Sequence, residues 1–136
     1  MATTSMGATS REPSLTDKIY AILRMVVGFL FFCHGAQKIF GVFGGPHPDL
    51  PVALAWFAGL AEVIAGALIA VGFLTTWAAF FSSGLMAGAY FLVHQQNALF
   101  PIENHGELAA LYAWLFLYMA ARGDGPWSIA GDDGGR

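Results

Sequence analysis

Residues 24–45 read RMVVGFLFFCHGAQKIFGVFGG. The stretch begins as an apolar helix, turns polar at His34, Gln37 and Lys38, and runs out in glycine. Apolar helices of this length belong in a lipid bilayer, where a charged side chain is costly unless it is paired or wetted. The fold therefore turns on what the rest of the chain brings to these polar positions.

Composition sets the class. The chain has 136 residues, of which 57% are hydrophobic and 11% charged. That charged share is about half that of a soluble domain. Six basic and nine acidic residues cannot cover the surface of a small soluble protein. An integral membrane protein with the lipid bilayer as its first partner is the expectation. There is no basic run, which argues against nucleic acid. Cys33 is the only cysteine, so an internal disulfide, a CxxC redox pair and a cysteine zinc site are excluded. It reads as a buried, inert thiol.

Working outward, residues 1–16 are Ser/Thr-rich and lack the short apolar core of a cleavable signal peptide. They are expected to form a disordered cytoplasmic tail. Four apolar spans follow, at about residues 17–43, 51–73, 76–95 and 105–121, within one membrane domain over 17–123. Ser14 and Asp17 are candidate caps of the first span, Thr75 or Thr76 of the third, and Asn104 with Glu107 has capping-box spacing for the fourth. The very short turn at 74–76 makes spans two and three antiparallel neighbours. Gly84 and Gly88 have the GxxxG spacing that permits close helix approach. Residues 124–136 form a polar, glycine-rich tail. The fold class expected is all-α: an antiparallel bundle of four transmembrane helices. Arg11, Lys18, Arg24, Arg122 and Arg136 flank one side and Lys38 the other, so the positive-inside rule puts both termini in the cytoplasm. The expected location is a bacterial plasma membrane.

This topology brings polar residues to one level. His34 and Lys38 lie toward the outer end of helix one, and at about 100° per residue they share a face. Glu62 stands near the middle of helix two among Ala55, Ala58, Gly59, Ala65 and Gly66, a small-residue face that packs against a helix rather than lipid. His94, Asn104 and Glu107 come from the outer ends of helices three and four. The polar-pocket candidates are therefore His34, Gln37, Lys38, Glu62, His94, Asn104 and Glu107. Tyr90, Trp114 and Tyr118 are candidate aromatic lining. Lys38 or His34 is the expected partner of Glu62, while Arg24 can snorkel to the near surface. His47 and His105 read as solvated loop residues. Each buried polar residue also has a structural reading, since such groups fix helix register. No Glu-x-x-His pair is present for a di-iron site, and His34 and His94 differ in depth by about two turns, which disfavours bis-histidine haem. No metal site is expected and no catalytic residue is assigned.

Several stretches resemble one family. His34-Gly35-Ala36-Gln37-Lys38-Ile39-Phe40-Gly41 followed by Phe43-Gly44-Gly45 is similar to the signature of DoxX-family membrane proteins. Residues 56–72, with Gly59, Glu62 and Gly66, look like its second helix. Ala89-Tyr90-Phe91-Leu92-Val93-His94, then Asn97 and Pro101, resembles its third helix and loop. Asn104-His105-Gly106-Glu107 through Tyr112, then Gly125-Pro126-Trp127-Ser128, resembles its end, with Pro126 where the family often has a basic residue. The resemblance covers residues 20–130. It implies a four-helix membrane protein and, for some members, a membrane subunit of a quinone-linked oxidoreductase. Quinone is thus the candidate cofactor, with no flavin, haem or metal motif in the chain and with partner subunits or a homo-oligomer expected. A non-enzymatic anchor or assembly factor and a small-solute binding or transport protein are the alternatives.

Overall fold

The computed structural model describes residues 12–45 and 51–131. Residues 1–11 of the tail expected over 1–16, part of the first loop and the last five residues of the chain lie outside these, while Leu15 and Thr16 already belong to the first helix. The described residues form four helices: α1 Leu15–Phe40, α2 Val52–Val71, α3 Thr75–Ala89 and α4 Glu107–Arg122. A π-helical segment, Tyr90–His94, continues α3 without a break. Three of these helices, with α3 counted through His94, are long and apolar enough to cross a membrane. At 16 residues α4 is shorter, about 24 Å long. Large apolar side chains such as Phe57, Phe81 and Trp114 stand on the outside, as suits a lipid-facing surface.

The helices follow one another around an antiparallel bundle. α1 and α2 meet backbone to backbone. Gly28 and Gly35 lie two turns apart on α1, and Gly59 and Gly66 two turns apart on α2. A Cβ at Gly66 would stand 2.5 Å from Phe32 N and 2.7 Å from Gly28 O. A Cβ at Gly35 would stand 2.5 Å from Gly59 O. The seam thus has no room for side chains. α1 and α4 meet differently, through large rings. Phe31 packs on Phe116 with ring centres 4.6 Å apart and on Tyr112 at 5.6 Å. α3 and α4 are joined by Ser83 Oγ, which donates to Ala113 O at 2.7 Å. The GxxxG expectation on α3 is not met: a Cβ at Gly84 or Gly88 would touch nothing within 4 Å.

The bundle end that carries the chain termini is tied by polar contacts. Helix C-termini leave four carbonyls without intrahelical donors. At α2 these are met in full by the protein. Gly72, in the left-handed conformation, closes a Schellman turn in which Phe73 N donates to Leu68 O and Gly72 N to Ile69 O. Arg24 Nη1 donates to Ile69 O at 2.9 Å and Ala70 O at 3.2 Å. Ile129 N donates to Val71 O, and Ala130 N to Gly72 O. Arg24 Nη2 reaches on to Trp127 O at 3.1 Å. Arg24 is therefore fully buried rather than snorkelling. Its charge sits at the negative end of the α2 dipole, and its donors meet carbonyls that lipid could not satisfy. The segment after α4 is held against the bundle by the same contacts.

Helix starts also depart from the sequence reading. Ser14 and Asp17 form the expected capping box on α1. α3 starts after Leu74, and neither Thr75 nor Thr76 caps it. Asp124 Oδ1 instead accepts from Thr75 N at 2.9 Å, a cap supplied from 49 residues away. Asn104 does not cap α4. Its Oδ1 accepts from Gly106 N and its Nδ2 donates to Ala98 O, so it folds the loop between α3 and α4. Arg122 pairs with Asp17 and lies over the Tyr20 ring, while Tyr20 Oη donates to Gly123 O.

Two outcomes follow. Gly66→Ala should force α1 and α2 apart and destabilise the protein by about 1–3 kcal/mol. Gly84→Ala should be neutral or stabilising by up to about 1 kcal/mol, since it only removes a helix-disfavouring residue. Denaturant unfolding in detergent micelles separates the pair. Asp124→Ala should cost about 1 kcal/mol and raise hydrogen exchange at the Thr75 amide.

Candidate functional site

Between the α1–α2 pair and the α3–α4 pair, at the loop end of the bundle, lies a cavity of about 950 Å³. Its existence follows from the two modes of packing. Glycines draw α1 onto α2, whereas rings hold α4 away from α1. Every helix contributes to the wall: Phe31, His34 and Lys38 from α1, Leu54, Ala58 and Glu62 from α2, Gly84 and Gly88 from α3, and Leu108, Ala109 and Tyr112 from α4. Gly84 and Gly88 keep their side of it open. Exposed Leu54, Leu92 and Leu108 lie at its rim.

The charged centre of the cavity is an ion pair. Lys38 Nζ donates to Glu62 Oε1. The Glu62 side chain is 2% exposed and that of Lys38 16%. Lys38 is thus the partner that Glu62 needs at this depth, because a lone buried carboxylate is not tolerated. Gly59 makes room for it, since a Cβ there would stand 3.0 Å from Lys38 Cβ. Glu62 Oε2, equally buried, has no hydrogen-bond partner. His34 packs edge-on against Tyr112, ring centres 6.2 Å apart. Tyr112 in turn stacks on Phe116 at 5.3 Å.

The far wall is set by the π segment and the loop after it. π segments arise often at functional sites because the extra residue re-aims the side chains around it. Here the segment ends at His94. A carbonyl oxygen only accepts, so His94 Nδ1 donates to Asn104 O at 3.2 Å. Gly106 fits beneath this corner, where a Cβ would stand 2.9 Å from His94 Cβ. Asn104 is 2% exposed and holds the loop that carries His105 to the rim.

Of the residues singled out from the sequence, His34, Lys38, Glu62, His94 and Asn104 all line this cavity. Gln37 does not; its Nε2 donates to Phe43 O beyond the end of α1. Glu107 is exposed in the first turn of α4. Tyr90 packs on Phe91 and reaches the Gly106 corner behind His94 without lining the cavity, Tyr118 packs on Tyr20, and Trp114 is 74% exposed. Tyr112 is the ring that sequence reasoning missed. The signal was the Ala109–Tyr112–Phe116 spacing, the less bulky side of α4. In a bilayer the bulkiest apolar face is free to point outward. Among the described residues no three His, Cys, Asp or Glu side chains gather as metal ligands.

Comparison with known proteins places the chain. The DoxX family model matches residues 19–95, which include most of α1 and all of α2, α3 and the π segment. A Haemophilus influenzae protein described only as uncharacterized is 38% identical, over 80% of this chain and 86% of its own length. No solved structure matches. With its apolar helices and this match over more than half its length, the chain is an integral membrane protein of the DoxX family.

Proposed function

We propose that the cavity receives the headgroup of a lipid-soluble quinone, and that the protein is a membrane subunit of a redox-linked assembly. The observation that carries this reading is the shape and chemistry of the cavity. About 950 Å³ lies within the usual range of small-molecule sites. Its walls are mostly apolar, and its polar groups are few and convergent: the Lys38–Glu62 pair, His34, Tyr112 and His94. A quinone ring needs such a combination, an apolar slot with hydrogen-bonding groups at the positions of its two oxygens. Gly84 and Gly88 favour the reading further. Glycine in a helix costs up to about 1 kcal/mol relative to alanine, and here no helix packs against it in return. In this proposal their role is to leave space for a flat ring. Electrons come from a partner subunit.

The same reading makes α4 the fourth span. Its roughly 24 Å needs modest bilayer thinning. Lys18, Arg24 and Arg122 lie at the terminal end and Lys38 toward the other, so both termini face the cytoplasm of a plasma membrane. The cavity then lies in the outer half of the bilayer.

Purification from native membranes in mild detergent tests the assignment. The expected result is bound quinone in the organic extract and co-purifying redox subunits. Gly88→Leu should abolish the quinone while leaving the unfolding midpoint unchanged or higher, because it fills the slot without touching a helix seam. Wild-type protein that neither retains quinone nor binds an added short-chain analogue would refute the reading. Reporter fusions at both ends should be active only in forms that work in the cytoplasm; opposite locations would remove α4 as a span.

A further inference from the structure

Glu62 divides its two oxygens unequally. Oε1 is engaged by Lys38 Nζ, the ion-pair contact of a carboxylate with an ammonium group. Oε2 is buried beside the cavity with no hydrogen-bond donor. Buried polar atoms are almost always paired, and an unpaired carboxylate oxygen is among the most costly exceptions. The side-chain amides that line the cavity bond elsewhere: Asn97 Nδ2 to Val93 O, Asn104 Nδ2 to Ala98 O. His94 Nδ1 is committed to Asn104 O. No hydrogen-bond donor of the protein reaches Oε2, and a carboxylate can only accept.

Resting on the quinone reading of the cavity, we propose that Glu62 makes the site selective for the reduced, hydroxyl-bearing form of the ring. An oxidised quinone carries two carbonyl oxygens, both acceptors. Placed at Oε2, either one sets acceptor against acceptor. A quinol carries two O–H groups, and one of them completes Oε2 with a charge-assisted hydrogen bond, stronger than one between neutral groups. Glu62 is thus a specificity-determining residue, and the Lys38 contact aims it by holding the other oxygen.

The test compares a short-chain benzoquinone with its hydroquinone, and with the hydroquinone dimethyl ether, which has lost both donors. Binding is measured anaerobically to the full chain in lipid nanodiscs. Wild type should bind the hydroquinone about tenfold or more tightly than the quinone, and the dimethyl ether no better than the quinone. In Glu62→Gln, Lys38 still claims the amide oxygen, and Nε2 replaces Oε2 with a donor. The preference should then vanish or reverse toward the quinone, an inversion that a purely structural role for Glu62 would not produce. Equal binding of quinone and hydroquinone to wild type, or tighter binding of the quinone, overturns the selectivity and leaves the quinone reading standing. Failure of all three compounds to bind overturns both. The wild-type comparison decides the matter even if the variant does not fold.

Discussion

The close contact of α1 with α2 is the constraint from which the other features follow. Two pairs of glycines, each two turns apart, let the backbones meet with no side chain between them. In a bilayer there is no hydrophobic gain from joining two apolar helices, so close packing and polar contacts must hold them. The glycine seam supplies the packing. It also fixes register, and register decides the charges. The same antiparallel alignment that sets Gly35 beside Gly59 brings Lys38 to Glu62 and Arg24 to the end of α2.

Arg24 and Glu62, two of the charged residues at the seam, have different consequences. Arg24 finds only carbonyls, those of α2's last turn and of the segment after α4. It closes one end of the bundle and is saturated there except at Nε. Glu62 is half satisfied and borders open volume. One end is therefore built like a clasp and the other like a receptacle. The clasp draws on every helix: Tyr20 and Asp17 of α1, the carbonyls of α2, Thr75 of α3 and Arg122 of α4. With that end fixed, the aromatic spacing between α1 and α4 can leave a cavity at the other without loosening the fold.

The polar residues needed for this arrangement were legible in the sequence, because a charge in an apolar run needs a partner. Glu62 on a small-residue face announced a helix packed against it, and Lys38 was near enough in level to answer it. The caps were less legible. Ser14 and Asp17 are local and were read correctly from spacing. Asp124 caps a helix 49 residues earlier, and no local rule reaches that far. Asn104 has the spacing of a cap but spends its side chain on the loop, where buried backbone groups needed it more.

What the sequence determined by itself is the solvent, the number and approximate place of the helices, and the level at which polar groups cluster. These are local properties: hydropathy, length and the glycine and proline breaks between spans. What only the tertiary structure decided is which face of each helix points inward. In water the apolar face must be the inner one, so periodicity answers the question. In lipid both faces are apolar, and α4 could present Trp114 or Tyr112 to the bundle with equal hydropathy. The choice falls to pairwise fit. Gly84 and Gly88, by spacing a packing motif, border the cavity. Gly28 and Gly35, which have no such spacing, form the seam.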